Sequence, residues 1–168
     1  ADEAARGRLP GDGDGTAGEY QDSTANDNDG QGGGGTAADA PTRVDAKIGK
    51  GQEFDGGGDY IDAGSDSSLN IQDDLTVEVW VNMDQQPSGW YDLIGSTNYF
   101  PYIGYDDTYH GWYVIDGSTH NVYGSTTLSS STWYHLASTY DGSDIRGYVD
   151  GQQDFSENAP GTIDDSSA

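Results

Sequence analysis

The chain has no cysteine, only two lysines, Lys47 and Lys50, and no long apolar run. The absence of cysteine excludes a disulfide framework, although large secreted β-domains fold without one. No segment approaches the roughly 18 apolar residues of a membrane span, and no stretch has the hydrophobic core of a signal peptide. We therefore predict no membrane insertion. A chain that starts at Ala1 instead of Met leads us to expect a fragment or a processed product.

Basic residues are scarce beside acidic ones. Six Lys and Arg face 30 Asp and Glu, which gives a formal net charge of −24. At molar salt the Debye length falls to about 3 Å, so a surface that repels itself in dilute buffer becomes tolerable. The composition therefore predicts a protein adapted to very salty water, typical of halophilic archaea. The same charge excludes nucleic acid and anionic membranes as partners.

The first part of the chain has few large apolar side chains. Gly, Asp, Ala, Thr and Asn dominate residues 1 to about 50, which predicts a loop-like region, with residues 1–19 as a flexible, acidic and Gly-rich segment. From Gly51 short alternating segments appear, separated by Gly, Asp, Asn and Ser. This spacing is typical of an antiparallel β-sandwich.

Alternation of apolar and polar residues is clearest in residues 75–81, where Leu75, Val77, Val79 and Val81 share one face. We assign that aliphatic face to the core. Asp150-Gly151 is a strong hairpin signal. No segment has a helical period, so the sequence predicts an all-β, antiparallel two-sheet sandwich. Further strands are expected at residues 90–96, 99–105, 111–115, 121–124, 133–140 and 145–149.

Four blocks, in order and spacing, resemble the laminin-G-like and pentraxin-like jelly rolls of the concanavalin A-like lectin and glucanase superfamily. The blocks are Phe54-Asp55-Gly56 with Asp59-Tyr60-Ile61, the strand 75–81, Trp133 to Gly142, and Tyr148-Val149-Asp150-Gly151. The resemblance implies one laminin-G-like domain over residues 20–168. It also implies a secreted or cell-surface location.

The chain departs from this family in three places. No Trp- or Leu-containing first strand precedes the Asp22-Ser23-Thr24 loop, and no final strand pair follows Ile163. We therefore expect a sandwich that is incomplete at its C-terminal end. Gly147 stands where the family has a large apolar residue, which predicts a lighter core at that point.

Glycoside hydrolysis needs two carboxylates about 5 to 9 Å apart. No strand carries a Glu-x-Asp-x-Glu pattern; Glu78 stands alone in its strand, and we place Glu157 in a Pro-flanked loop. The sequence therefore predicts no enzyme activity. His135, with only His110 and His120 elsewhere, forms no metal triad by spacing and is expected to be a packed structural histidine.

Aromatic residues are concentrated between residues 90 and 113. Such rings stack on sugar faces, and interleaved Asp106, Asp107, Asn98 and Asn121 offer hydrogen bonds to hydroxyls. The alternative is that tyrosine simply covers a pleated, half-exposed surface. The predicted ligand-binding residues are Trp90, Tyr91, Tyr99, Tyr102, Tyr105, Tyr109 and Trp112.

A structural calcium ion is implied by the resemblance, since laminin-G-like folds often hold one near the Phe-Asp-Gly strand. Asp55 and Asp59 are the candidate ligands, although the usual partner on the final strand is absent. Asp12-Gly13-Asp14 opens like a calcium loop, but Ala17 and Ser23 stand where that loop needs Gly and Glu. Local Asp clusters in so acidic a chain otherwise indicate a solvated face.

The function predicted from the sequence is a non-catalytic binding or adhesion module of a secreted or cell-surface protein. Its expected partner is a glycan or an extracellular protein. Two alternatives stay open: a structural spacer in a large extracellular protein, and an accessory module of a glycoside hydrolase. The sequence does not specify an oligomeric state.

Overall fold

The computed structural model describes residues 19–86, 88–104 and 106–165. The segment expected to be flexible, residues 1–19, therefore lies outside the described residues except for Glu19. The chain divides into two compact units, residues 1–69 and 70–168. The fold is all-β with antiparallel sheets, as the alternating segments predicted. No helix among the described residues is long and apolar enough to cross a membrane.

Among its described residues, the first unit contains five short strands and three single 3-10 turns. The prediction of a loop-like region up to residue 50 is corrected here, because short strands form within it. Its sheets have the orders β1-β2-β5 and β3-β4. The strands are β1 (Glu19–Tyr20), β2 (Gly30–Gly32), β3 (Thr42–Asp45), β4 (Lys50–Glu53) and β5 (Ile61–Asp62), and the turns are Gly33–Gly35, Ala37–Asp39 and Ser67–Leu69.

Glycines in β2 allow larger side chains of the first unit to pack closely against the strand. A Cβ at Gly30 would lie 2.6 Å from the Ile61 side chain, and one at Gly32 would lie 3.0 Å from the Tyr20 ring. Tyr20 is buried between these strands. The glycines that suggested a loop therefore allow β2 to pack beneath larger side chains.

In the described part of the second unit, eight strands form two four-stranded sheets. Their orders are β10-β9-β8-β7 and β13-β12-β11-β6, and all pairings are antiparallel. The strands are β6 (Leu75–Asn82), β7 (Tyr91–Asp92), β8 (Tyr99–Ile103), β9 (Thr108–Ile115), β10 (Ser118–Thr127), β11 (Trp133–Tyr140), β12 (Asp144–Val149) and β13 (Gln152–Asn158).

The two sheets pack face to face over one core. The aliphatic face of β6 contributes to it as predicted: Leu75 is buried, and Val77, Val79 and Val81 pack against it. Across the core, the Tyr113 hydroxyl shares a 2.5 Å hydrogen bond with the Ser138 hydroxyl. The fully buried aliphatic members of this core include Ile103, Ile115, Leu128, Leu136, Ile145 and Ile163.

A carboxylate joins the open edges of the two sheets. Asp154, on β13, accepts hydrogen bonds from the backbone N–H and the hydroxyl of both Ser125 and Thr126, on β10, at 2.6 to 3.1 Å. Gly124 makes this approach possible, because a Cβ there would overlap the Asp154 carboxylate. Asp154 therefore fixes the spacing between β10 and β13.

The expected lightening of the core at Gly147 does not occur. The Phe155 ring, on the neighbouring strand, lies against the Gly147 backbone and fills the space that a side chain would occupy. Sequence inspection also placed Glu157 wrongly. It lies on β13, opposite Ile145, because pairing with β12 extends the strand beyond its single apolar residue, Phe155.

Candidate functional site

The outward face of the sheet β10-β9-β8-β7 carries two exposed aromatic rings, Trp90 and Tyr123. The turn Asp116-Gly117 sets its register, with both residues at positive φ and Ile115 opposite Ser118. In this register Tyr123 lies opposite His110, and Tyr102 lies opposite His110 on the other side. We call this surface the aromatic face; its residues are Trp90, Asp92, Tyr102, His110, Trp112 and Tyr123.

His110 lies at the centre of the aromatic face, yet it is fully buried. Its ring contacts three others, with centroid distances of 5.0 Å to Tyr123, 5.1 Å to Tyr102 and 6.0 Å to Trp90. Trp90 also meets Tyr102 edge-on at 5.2 Å. Two of these rings are exposed, Trp90 at 52% and Tyr123 at 59%. They cover His110 and present apolar surface to solvent.

Hydrogen bonds fix the orientation of the His110 ring. Its Nδ1 accepts from the backbone N–H of Gly124 at 3.3 Å. Nε2 lies 3.0 Å from Asp106 Oδ1 and 2.9 Å from the Thr108 hydroxyl. The buried imidazole is thus a fixed support for the rings above it.

Gly104 allows these groups to converge. A Cβ at this position would lie 2.7 Å from His110 Nε2, 2.7 Å from Asp106 Oδ1 and 2.8 Å from the Trp90 ring. All three distances are shorter than ordinary carbon contacts. Only glycine fits here without displacing Trp90 or the hydrogen bond between His110 and Asp106.

Two carboxylates border the rings. Asp92 lies directly opposite Tyr102 on the same face of the sheet, and it is exposed. Asp106 has a half-exposed side chain. Burial acts to raise the pKa of Asp106, but hydrogen bonds from His110 and Thr108 outweigh it and hold the pKa below its usual value. Asp106 is therefore ionised at neutral pH.

The buried, acidic surroundings raise the pKa of the Tyr102 hydroxyl. Burial raises the pKa of Tyr102 to about 12, and the charges of Tyr123, Asp106 and Asp92 add to the rise. Tyr102 therefore stays a neutral phenol over the physiological range. The electrostatic character of the aromatic face is negative at its borders and apolar between them.

The structure divides the predicted ligand-binding residues between the two sides of the sheet. Trp90, Tyr102 and Trp112 belong to the aromatic face, where Tyr102 is buried and Trp112 is partly buried. Tyr91, Tyr99 and Tyr109 point to the opposite side, since their partners are Ile103, Tyr113 and Ile103. Tyr105 lies outside the described residues.

Burial changes the role of the core-facing tyrosines. Tyr109 is only 1% exposed and packs 5.5 Å from the Phe155 ring, and Tyr99 is buried in the same core. Their rings offer no surface to a ligand. Tyr91 is exposed, but it lies at the sheet edge on the side of Ile103.

Three members of the aromatic face were absent from the predicted site: Asp92, His110 and Tyr123. The register signal was present in the sequence, because a two-residue turn at Asp116-Gly117 places residue 123 opposite residue 110. The interleaved polar residues have mixed roles. Asp106 and Asn121 lie at the aromatic face, whereas the Asn98 side chain donates to the backbone oxygen of Asp164 at 3.0 Å.

The proposed calcium ligands lie in one loop of the first unit. The backbone N–H of Asp55 donates to Asp59 Oδ2 at 2.9 Å, and that of Gly57 donates to Asp55 Oδ1 at 2.6 Å. Within the part of the chain that the structure describes, no group of three or more His, Cys, Asp or Glu side chains is arranged to hold a metal ion. Calcium takes six to eight oxygen ligands. Calcium binding at Asp55 and Asp59 stays a prediction.

The two glutamates weighed as catalytic acids each lie beside a histidine. Glu78 Oε2 is 3.5 Å from His135 Nε2, on the outward face of the other sheet, and Glu157 Oε1 is 2.6 Å from His120 Nδ1. His135 also packs against Trp80, with ring centroids 5.2 Å apart. Each acid therefore has its own partner, and the two belong to separate clusters.

Comparison with known families assigns this sandwich to a superfamily. The sequence model of the family Laminin_G_3, concanavalin A-like lectin/glucanases superfamily, matches residues 55–168, more than half of the chain. The chain belongs to this superfamily. The aromatic face lies wholly inside the matched region of this superfamily domain. None of the curated protein sequences is recognisably related to the chain.

Solved structures agree on the fold. Domain 4 of an extracellular arabinanase from Geobacillus stearothermophilus, solved with arabinotriose, is 19% identical with a TM-score of 0.55, and the match covers 74% of this chain and 65% of that one. The chain thus spans less than two thirds of the arabinanase domain. At this identity the likeness establishes the β-sandwich alone.

Two other solved structures are more distant. Mouse laminin alpha1 domains LG4-5 are 14% identical with a TM-score of 0.49, over 58% of this chain and 27% of that one. A carbohydrate-binding module, CBM66 from Bacillus subtilis, is 17% identical with a TM-score of 0.45, over 73% of this chain and 81% of that one.

Proposed function

We propose that the second unit is a non-catalytic glycan-binding module and that the aromatic face is its binding surface. The observation that carries the proposal is the pair of exposed rings, Trp90 and Tyr123, supported from beneath by the buried His110. Apolar rings held in fixed positions on a sheet are suited to stack on the apolar faces of sugars.

The polar groups at the border of the rings complete a sugar site. A sugar hydroxyl is a hydrogen-bond donor, and the carboxylates of Asp92 and Asp106 are acceptors beside the rings. The aromatic rings would give affinity, and the carboxylates would give orientation. Because the supporting His110 and Tyr102 are buried, the surface needs little reorganisation to receive a ligand.

The superfamily is named for lectins and glucanases, and the arabinanase domain with the same fold was solved with an oligosaccharide. An oligosaccharide is therefore the first ligand class to test. We further propose that the parent protein is secreted or displayed on a cell surface. In such a protein the module would hold an enzyme or an adhesin close to a polysaccharide.

A binding role without catalysis is favoured by the acids themselves. Glu78 and Glu157 lie in separate clusters, and Asp106 Oδ1 is hydrogen-bonded to His110 and Thr108. A glycosidase would need one carboxyl kept protonated beside one kept ionised. The hydrogen bonds of Asp106 favour its ionised form, which suits a hydrogen-bond acceptor better than a general acid.

A glycan array in molar salt, followed by titration calorimetry on the oligosaccharides retained, tests the proposal. We expect Trp90→Ala and Tyr123→Ala each to weaken binding about five- to tenfold, the scale of one lost aromatic contact. Trp80→Ala is the matched control, because Trp80 is an exposed tryptophan on the outward face of the other sheet. Circular dichroism of each variant verifies folding. The proposal fails if no glycan is retained, or if Trp80→Ala weakens binding as much as Trp90→Ala.

A further inference from the structure

We infer that the aromatic face prefers a glycan that carries a protonated amine, such as a deacetylated amino sugar, over neutral and anionic glycans. The inference rests on the proposed function, and it names the ligand class of the same surface. Its basis is the juxtaposition of two exposed rings with two carboxylates, Asp92 and Asp106, and the absence of a lysine or arginine beside them in the second unit.

The border of the aromatic face carries negatively charged hydrogen-bond acceptors. Within the described residues, Asp106 receives its hydrogen bonds at Oδ1, from the Thr108 N–H, the Thr108 hydroxyl and His110 Nε2. Its side chain is half exposed, so the carboxylate still faces solvent. Asp92 is exposed as well and lies opposite Tyr102. A ligand group between them must donate hydrogen bonds, and an anionic group is repelled.

No lysine or arginine of the second unit belongs to the aromatic face. Arg146 is the only Lys or Arg in residues 70–168, and it lies on the other sheet, bonded to Asp141 and Asp144. No lysine or arginine of this unit therefore balances the carboxylates of Asp92 and Asp106.

The exposed rings favour a cation for a separate reason. The faces of Trp and Tyr carry negative electrostatic potential and attract an ammonium group within about 6 Å. A sugar ring bearing such a group would stack through its C–H face and direct the amine to the rings or to a carboxylate. Neutral sugars would keep the stacking but would lose the electrostatic attraction to the rings and carboxylates. Uronic acids would keep the stacking, but their carboxylates would be repelled by Asp92 and Asp106.

Calorimetric titration with three trisaccharides at equal ionic strength tests the preference. The probes are a β-1,4 trisaccharide of glucosamine, its fully N-acetylated form and a trisaccharide of galacturonic acid. We expect the amine form to bind about five- to tenfold more tightly than the acetylated form, the sum of one cation–π contact and exposed ion pairs. Binding of the galacturonate form should be the weakest.

Charge-neutralising variants separate this site from general attraction to an acidic protein. Asp92→Asn should lower the preference for the amine form over the acetylated form to about twofold. Asp106→Asn should lower this preference too. If Asp106→Asn also perturbs the His110 ring, the result with Asp92→Asn decides the test. Glu78→Gln is the matched control, because it removes one exposed charge from the outward face of the other sheet. It should leave the preference unchanged.

The outcomes distinguish the two proposals. Equal binding of the amine and acetylated forms, or an equal effect of Glu78→Gln and Asp92→Asn, overturns the preference while leaving the glycan-binding function intact. Absence of binding by every trisaccharide and every array glycan overturns both.

Discussion

The Phe155 ring lies against the backbone of Gly147, on the adjacent strand β12, so that a Cβ at position 147 would overlap it. The ring takes the place of the large apolar side chain that is missing at Gly147. An aromatic residue that covers a glycine on a neighbouring strand is a recognised way to keep a β-sheet packed. This pair keeps the core filled at a position that has no side chain.

Gly147→Ala tests this packing. The added methyl group must displace the Phe155 ring, and over-packing of a core costs about 1 to 3 kcal/mol of unfolding free energy. Gly89→Ala is the matched control, since a Cβ there meets nothing within 4 Å and its φ is not positive. Urea unfolding of both variants in molar salt measures the difference. Equal free energies of unfolding would show that the Phe155 ring moves aside without a cost in stability, which would contradict tight packing at this position.

Asp154→Ala tests the link between the sheets. The variant leaves the donors of Ser125 and Thr126 without their carboxylate, and hydrogen bonds to a charged group contribute about 1.5 to 3 kcal/mol. We expect the free energy of unfolding to fall by about that amount. Asp73→Ala, an exposed acid, should change it by less than about 0.5 kcal/mol. A similar loss in both variants would contradict a specific role for Asp154.

Alkaline pH should unfold the second unit through its buried phenols. Burial raises the pKa of Tyr102 and of Tyr113 to about 12, against 10.0 for an ordinary tyrosine, and burial also raises the pKa of Tyr109. A raised pKa in the folded state stabilises folding fully below the unfolded value of 10.0 and loses that stabilisation as pH rises through about 12.

Phenolate absorbance and far-ultraviolet circular dichroism, followed together from neutral to alkaline pH, measure this effect. We expect part of the phenolate signal to appear only as β-structure is lost. A complete phenolate signal near pH 10 with the β-structure intact would contradict the burial of these side chains.

Salt should stabilise the fold. With a net charge of −24, self-repulsion is strong in dilute buffer and is screened as the Debye length falls from about 10 Å at 0.1 M to about 3 Å at 1 M salt. We expect partial unfolding in dilute buffer and recovery of structure in molar potassium chloride. Sucrose at matched osmolality controls for effects other than screening. Identical circular dichroism spectra at low and molar salt would show that the acidic surface does not require salt.

The sequence predicted the sheets better than it predicted the site. In β6 aliphatic and polar residues alternate, so one face could be assigned to the core. In β8 and β9 both faces are aromatic, so Tyr109 and its outward neighbour His110 look alike in the pattern although one faces the core. The strand β13 has the single apolar residue Phe155 and shows no alternation at all.

Long-range packing accounts for the rest of the difference. That Trp90 and Tyr123 cover His110 depends on contacts of β9 with β10 and with the residue before β7, which no local pattern encodes. The pairing of Tyr123 with His110 was accessible through the Asp116-Gly117 turn, because a two-residue hairpin fixes the partners along β9 and β10 as far as Tyr123, before the register shifts.

The indole N–H signals of the tryptophans test the central claim most directly. The chain has four tryptophans, Trp80, Trp90, Trp112 and Trp133, and ¹⁵N labelling with single Trp→Phe variants assigns each signal. On addition of the amine-bearing trisaccharide in molar salt, we predict that the Trp90 signal shifts in a saturable way, with a smaller shift at Trp112, while the Trp80 signal stays in place. Saturable shifts at Trp80 with none at Trp90 would contradict the assignment of the aromatic face as the binding surface.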